Sequence, residues 1–448
     1  MVSIGDSDAK REHGPVGAHT AHYLDVVDKY RNERERSYHY HHLTINLRIN
    51  GPVDAAKMAN AVEKLCAKNP ALRSYFAGSA GHWTQNFAAP GDVGAFSHQK
   101  FDDPELDWKK TAWDIVNRLK EETFDVLKPP LFKVVLLEFP SIAVILTKWH
   151  HIVCDGWGIV VALNQLLGLY AAEFAGVDAP IPALPVADYI ALSEQQNAWL
   201  QSPDGEKELQ WWRDTIGDHA YVRTPLAERP QGILSVCMEN LSANDSARLQ
   251  KLADAAGYHV SFLVYAAFLS ALRTFTGSDD VLVTFVKANR DKSTGHIVGN
   301  FADWVTVRHR AKSEESRAET AAIYQKDVNE AKSHYVPYWS VVKDLCPGQY
   351  FKDFGLTPYS FDFTPPLPPA IDVGAPISFG FLHELEVIPY RLTATDIFCR
   401  MSMHTHPGED LPRIDIGLIY HSGHLQKASV EKVLADMKHE LAETLKTA

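Results

Sequence analysis

The sequence lacks several features that would place a protein in a special class. No run among its 448 residues approaches the roughly 20 apolar residues of a membrane span, so we predict no transmembrane helix. The first residues are polar and show no signal peptide, and residues 1 to about 20 are expected to be loose. The net charge of -12 argues against nucleic-acid binding and against docking on an anionic membrane surface.

Cysteine is also scarce, with five residues scattered along the chain and no C-x-x-C pair. This pattern favours free thiols in a reducing compartment over a disulfide framework. We therefore expect a cytoplasmic protein.

What is present is an ordinary globular composition, with 46% hydrophobic and 22% charged residues. The length exceeds that of one ordinary domain, and strand and helix patterns alternate on both sides of a proline-rich stretch. We predict an α/β (α+β) protein with an N-terminal lobe over 1–178, a linker and connecting helix over 179–230, and a C-terminal lobe over 231–448. In the second lobe, Ser242 and Ser261 are predicted N-caps of two helices that are split at Gly257.

The most informative stretch is His150-His151-Ile152-Val153-Cys154-Asp155-Gly156, between an apolar segment typical of a buried strand and one typical of a helix. A histidine here can take a proton from a nucleophile, and the N–H groups of the following helix can favour a developing oxyanion. Two other interpretations stay open on this motif alone. Both histidines can be satisfied core residues, and a metal site is weaker because adjacent histidines point apart and no third ligand is near. No metal is therefore predicted.

The motif at 150–157 resembles the H-H-x-x-x-D-G motif of the condensation domains of nonribosomal peptide synthetases, which belong to the chloramphenicol-acetyltransferase-like acyltransferases. Further segments resemble the same family in the same order, namely 69–76, 124–132, 277–290 and 298–301. The resemblance therefore extends from about residue 40 to the C-terminus. It implies two acetyltransferase-like lobes in a V-shaped pseudo-dimer with a central tunnel.

Carried over residue by residue, the resemblance makes His151 the residue that activates or positions the nucleophile and makes His150 structural. It pairs Asp155 with Arg290 across the lobe interface, and it places Gly156 where a backbone N–H faces the acyl group. The further residues that it assigns to the substrate tunnel are Trp157, Asn300, Asp303, Trp304 and Asp362.

The chain also departs from the family pattern. The early S-x-A-Q-x-R-L-W motif is not recognisable in the first 40 residues, and Lys68 replaces the first arginine of R-H-E-x-L-R. Ala302, Asp303 and Trp304 occupy the V-N-T positions, and Gly158 stands where a serine often follows the tryptophan. Because the histidine core is intact, the domain is not expected to be inactive, whereas the altered V-N-T segment predicts a changed substrate channel.

The implied function is that of a condensation enzyme, free-standing or cut from a longer chain. It would transfer an acyl or aminoacyl group from a carrier-protein phosphopantetheine thioester to an amine or hydroxyl, in antibiotic or other natural-product biosynthesis. No bound cofactor is expected, and the partners would be an acyl or peptidyl carrier protein and a small or carrier-bound nucleophile, with the enzyme a monomer. Two alternatives remain, a coenzyme-A-dependent acyltransferase of the same superfamily and a catalytically silent, partner-recruiting relative.

Overall fold

A computed structural model describes residues 13–29, 42–217, 234–310, 317–350, 355–364, 370–372, 377–382, 396–404 and 411–446. The chain forms two units, each built from three separate stretches. Unit 1 comprises Met1–Trp199, Ala288–Ala302 and Pro368–Tyr390, and unit 2 comprises Leu200–Lys287, Asp303–Leu367 and Arg391–Ala448.

Unit 1 contains a mixed sheet of six described strands in the order β12-β13-β2-β7-β6-β5. These strands are β2 (His42–Asn50), β5 (Phe96–Lys100), β6 (Phe132–Glu138), β7 (Ala143–His150), β12 (Ala370–Asp372) and β13 (Ser378–Phe381). The central strand β7 is buried along its whole length, as its apolar sequence predicts. A second, smaller sheet pairs β4 (His82–Phe87) with β1 (His13–Pro15) and β3 (Ser74–Ser79).

Helices cover both faces of the six-stranded sheet of unit 1. On one face, α2 (Ala55–Lys68) and α4 (Gly156–Ala175) share a core with β2 and β7. On the other face, α3 (Trp108–Glu121) packs against β6 and β7. The remaining described helices of this unit are α1 (Ala18–Lys29) and α5 (Val186–Leu200).

Unit 2 contains a second mixed sheet of six described strands in the order β10-β9-β11-β14-β15-β8. They are β8 (Leu234–Asn240), β9 (Asp280–Lys287), β10 (Asp303–Arg310), β11 (Tyr359–Thr364), β14 (Ile397–His404) and β15 (Arg413–His421). The described helices of unit 2 are α6 (Pro203–Ile216), α7 (Ala243–Ala256), α8 (Ser261–Thr276), α9 (Arg317–Ser333), α10 (Tyr338–Leu345) and α11 (Lys427–Lys446).

The predicted mixed α/β class is confirmed, and several details differ from the predictions. The boundary after α4 falls at Trp199 instead of 178, and two later stretches return to unit 1, because β13 pairs with β2 and residues 288–302 bond to the start of α4. Residues 13–29, expected to be loose up to about residue 20, form β1 and α1.

Two further expectations fail at helices. Ser242 caps α7 as predicted, but Ser261 is the first residue of α8, and the Nδ1 atom of His259 accepts its backbone N–H at 3.2 Å. Helix α4 is long and apolar enough to pass as a membrane span on length and composition, contrary to the prediction. Several of its apolar residues, among them Ile159, Leu163 and Leu167, are nevertheless fully buried in the core of unit 1, as in the core helix of a folded domain.

Candidate functional site

The candidate site lies at the turn between β7 and α4 in unit 1. Strand β7 ends at His150, and α4 begins at Gly156. Asp155 is the N-cap of α4, with an extended backbone and a carboxylate that accepts the N–H of Gly158 at 2.6 Å. The turn therefore presents the N-terminal end of a helix, where orphan N–H groups favour negative charge.

His150 is fully buried and serves the architecture of this turn. Its Nδ1 atom accepts the backbone N–H of Ile152 at 3.0 Å, which makes the ring the neutral tautomer with its proton on Nε2. The rings of Phe124 and Tyr23 meet it edge-on, with centroids at 5.9 Å and 6.2 Å. The ring of His150 therefore fixes the backbone of the turn at Ile152.

His151 follows the strand and is half-buried. Burial lowers the pKa of its imidazole, nearby Asp155 opposes this, and His19 of α1 lowers the pKa further. A histidine with a lowered pKa is a neutral imidazole at pH 7, which is the form that accepts a proton. The contribution of α1 was missed, because the sequence between residues 13 and 29 carries no recognisable motif.

The carboxylate of Asp155 is 2% exposed and is saturated with hydrogen bonds. Besides the N–H of Gly158, its two oxygens accept bonds from Nη2 of Arg290, at 3.0 Å and 3.2 Å. Its Oδ2 atom also accepts the backbone N–H groups of Phe301 and Ala302, at 2.7 Å and 2.9 Å. The pairing of Asp155 with Arg290 is thus present, and it lies within unit 1 instead of across the lobe interface because residues 288–302 belong to that unit.

Arg290 is the centre of the segment 288–302. Its Nη1 atom donates to the carbonyl oxygens of Thr294 and Ile297, at 3.0 Å and 2.7 Å, and its Nη2 atom donates to that of Gly299 at 2.9 Å. Its guanidinium also lies 4.5 Å from the ring centroid of Phe301. The side chain of Arg290 therefore holds the backbone of this segment together and bonds the segment to Asp155.

The first turn of α4 meets the same segment closely. A β-carbon on Gly158 would lie 2.5 Å from the carbonyl oxygen of Gly299 and 3.1 Å from Nη2 of Arg290. Trp157 is 54% exposed and donates its indole N–H to the carbonyl of Gly295 at 2.9 Å. The departure from serine at position 158 thus has a steric cause, since no side chain fits there.

Gly156 differs from Gly158 in its surroundings. It is exposed, its φ is not positive, and a β-carbon there would meet nothing within 4 Å. Neither backbone strain nor packing requires a glycine at this position. The space beside the helix N-terminus is open to a substrate atom.

The residues predicted to line a tunnel divide between the two units. Trp157 and Asn300 belong to unit 1, and Asp303, Trp304 and Asp362 belong to unit 2. Asp303 is buried, and its carboxylate accepts the hydroxyl of Tyr335 and the backbone N–H groups of Trp304 and Tyr338. These bonds tie Asp303 to the start of α10.

The other two predicted tunnel residues of unit 2 have different surroundings. The Trp304 ring packs against Tyr338 and Trp339, with centroids at 5.3 Å and 6.1 Å. Burial raises the pKa of the Asp362 carboxyl, and Arg400 opposes that shift. Their predicted role in a tunnel stays a prediction.

Cys154 is the nearest thiol to the histidine pair, and it is fully buried. Burial raises the pKa of this thiol well above its usual value, and the Asp155 charge acts in the same direction. A packed, protonated thiol is a poor nucleophile, in agreement with the interpretation of Cys154 as a packing residue.

Sequence comparisons match most of the chain to known proteins. The family model described as Condensation domain matches residues 31–359. Malpinin synthetase of Mortierella alpina is 22% identical over 323 residues, which are 68% of this chain, and enniatin synthase of Fusarium equiseti is 25% identical over 327 residues, which are 70% of it. The matched region is only 4% of the first of these proteins and 10% of the second, so the chain corresponds to a small part of each.

Solved structures share the fold at low sequence identity. The X-domain solved in a complex with OxyB from teicoplanin biosynthesis has a TM-score of 0.79 and 19% identity, covering 99% of this chain and 95% of that one. The first condensation domain of the calcium-dependent antibiotic synthetase has a TM-score of 0.73 and 17% identity, covering 97% of each chain.

Proposed function

The chain belongs to the condensation-domain family, and from that membership we propose that it transfers an acyl or aminoacyl group from a phosphopantetheine thioester to an amine or hydroxyl. The phosphopantetheine arm would be presented by a carrier protein in the cytoplasm. The observation that carries the proposal is the turn that bears His151, because Asp155 and Arg290 fix the end of this turn at the start of α4 and the space around Gly156 is open. Burial lowers the pKa of the His151 imidazole, which favours its neutral, proton-accepting form.

The proposed reaction is direct transfer. His151 accepts the proton of the amine or hydroxyl as that group attacks the thioester carbonyl carbon. The carbonyl oxygen gains negative charge next to Gly156, where the dipole of α4 favours it. When the C–S bond breaks, the leaving thiolate takes the proton from His151, so that an amide or ester and a free thiol are formed.

An acyl-enzyme intermediate is not part of this proposal. The thiol closest to His151 is that of Cys154, and its raised pKa and complete burial argue against a nucleophilic role. The expected intact protein mass during turnover is therefore that of the unmodified chain.

A donor screen tests the proposal. One panel of acyl and aminoacyl groups is loaded onto a carrier protein, onto coenzyme A and onto free pantetheine, and each thioester is offered with amine and alcohol acceptors. We expect mass spectrometry to detect product with the carrier-bound donor at the highest kcat/KM. A preference for the coenzyme A donor would favour the alternative acyltransferase, and no product above the uncatalysed rate from any donor would contradict the proposal.

Recruitment of a partner without catalysis is the second candidate. It is favoured by one observation, the fold similarity to an X-domain that was solved in a complex with OxyB. The intact His150-His151-x-x-x-Asp155-Gly156 motif and its saturated Asp155–Arg290 pair favour catalysis over this candidate.

A further inference from the structure

Asn300 carries the only polar side chain of residues 297–302, and its carboxamide makes no hydrogen bond to the described residues. It lies between Gly299, whose carbonyl accepts the N–H of Asp155, and Phe301, whose N–H donates to Asp155. Both amide atoms of Asn300, Oδ1 and Nδ2, are shielded from solvent and have no hydrogen-bond partner among the described residues.

A buried amide without partners is costly to the folded state, and native proteins rarely keep one without a reason. The other asparagine of the segment 288–302 is satisfied, since Nδ2 of Asn289 donates to the carbonyl of Phe301 at 3.1 Å. An apolar side chain of the same shape would serve the fold better at position 300. Polar groups that conflict with stability are concentrated at functional sites.

We propose that Asn300 is a substrate-binding residue whose carboxamide pairs with a secondary amide of the thioester donor. A carboxamide offers N–H donors and a carbonyl acceptor side by side. A secondary amide presents the matching carbonyl and N–H, whereas a carboxylate or an ammonium would satisfy only half of the group.

This inference rests on the proposed function, because that function supplies a thioester donor. Two parts of such a donor carry secondary amides, namely the pantetheine arm and an acyl group that itself contains a peptide bond. Both parts flank the bond that reacts at His151, and both present the same chemistry to Asn300.

The variant Asn300→Leu separates the effect of this residue on stability from its effect on ligand binding, because leucine keeps the size of asparagine and removes its polarity. We expect a higher urea midpoint of unfolding, since an unsatisfied amide is removed. We also expect the affinity for an amide-bearing ligand to fall about tenfold, since a paired hydrogen bond is lost. Asn164→Leu, the same change at an exposed position of α4, is the control and should leave ligand affinity unchanged.

Three probes identify the source of the amide when binding is measured by ligand-observed NMR. Pantetheine carries the amides of the arm, cysteamine is its amide-free thiol end, and N-acetylglycinamide stands for the acyl side. A loss confined to pantetheine assigns Asn300 to the arm, and a loss confined to N-acetylglycinamide assigns it to the acyl group. Cysteamine should bind equally to the native protein and to Asn300→Leu.

The inference is overturned if a folded Asn300→Leu protein binds both amide probes as the native protein does. If the leucine variant does not fold, Asn300→Ala takes its place and should show the same loss of affinity for an amide probe. These outcomes differ from a failure of the proposed function. A protein that binds pantetheine through Asn300 and transfers nothing contradicts the function, and one that turns over equally with leucine at 300 contradicts only the inference.

Discussion

Gly158 and Gly299 approach each other so closely that a β-carbon on Gly158 would lie 2.5 Å from the carbonyl oxygen of Gly299. That same carbonyl accepts the backbone N–H of Asp155 and a bond from Nη2 of Arg290. The start of α4 and the segment 288–302 are thus in backbone contact. The position of His151 depends on this contact, because the histidine turn ends at Asp155.

The two glycines in the first turn of α4 should respond in opposite ways to alanine. We expect Gly158→Ala to destabilise the protein by about 1–3 kcal/mol, because the added carbon forces α4 away from the segment. Gly156→Ala should leave the free energy of unfolding unchanged or raise it slightly, since its surroundings are open and alanine favours helix. Urea unfolding measures both, and equal effects of the two substitutions would contradict the packing described.

The pair of Asp155 and Arg290 should contribute far more than an exposed pair. Asp155→Ala leaves the Arg290 guanidinium buried without its charge partner and removes an N-cap, and we expect a loss of about 3–5 kcal/mol. The control is Asp114→Ala, which breaks the exposed pair with Lys110 and should change stability little. A double-mutant cycle with Arg290→Met measures the coupling, and additive effects would show that the two side chains act independently.

His42 should make the protein sensitive to acid. It is the first residue of β2 and pairs with His150 in the sheet, and burial followed by the charges of Lys148 and Lys120 lowers its pKa to about 3. Between pH 6.5 and about 3 the unfolded chain therefore binds a proton at His42 that the folded chain does not. Stability is lost as pH falls through this window, by up to about 1.4 kcal/mol per pH unit.

The variant His42→Gln isolates this effect, because it removes the proton difference and leaves other titrating groups in place. We expect the unfolding midpoint of the native protein to fall more steeply than that of the variant as the pH is lowered through the same window. Parallel curves would contradict the assignment.

His150 should matter for folding and not for proton transfer. His150→Ala leaves the N–H of Ile152 without its acceptor and opens a cavity between Phe124 and Tyr23, so we expect a loss of about 2–4 kcal/mol. Thermal unfolding gives the size of the loss. Native stability in this variant would show that the ring has no architectural role.

Much of the local structure follows from the sequence. The helical spacing of apolar residues predicts which face of α2 is buried. Capping residues predict where α7 begins, at Ser242, and where it ends, at Gly257. The strand–turn–helix arrangement of the histidine motif is predictable for the same reason. These features depend on neighbours in the chain.

The remaining features depend on backbone groups that are far apart in the sequence, and such contacts do not show in the identity of the residues. Besides Arg290, the second Asp155 oxygen accepts the backbone N–H groups of Phe301 and Ala302, which are 146 and 147 residues away in sequence. Any residue except proline offers such a group. The N-cap of α8 is Val260 instead of the predicted Ser261, and the ring of His259 accepts the N–H of Ser261, although an imidazole is not a usual capping group. The sequence shows that Gly158 departs from the family pattern. Only the structure shows why, because the carbonyl of Gly299 leaves no space for a side chain.

In the proposed mechanism, His151 accepts the proton of the nucleophile. The most direct test of this step is a single-turnover measurement of acyl transfer with His151→Ala and the native protein, using the carrier-bound thioester that the native protein uses best. We predict a rate about 10²–10⁴-fold lower, with an unchanged urea midpoint of unfolding, because the half-buried ring supports chemistry more than the fold. Product formation at the native rate by a folded His151→Ala protein would contradict the account.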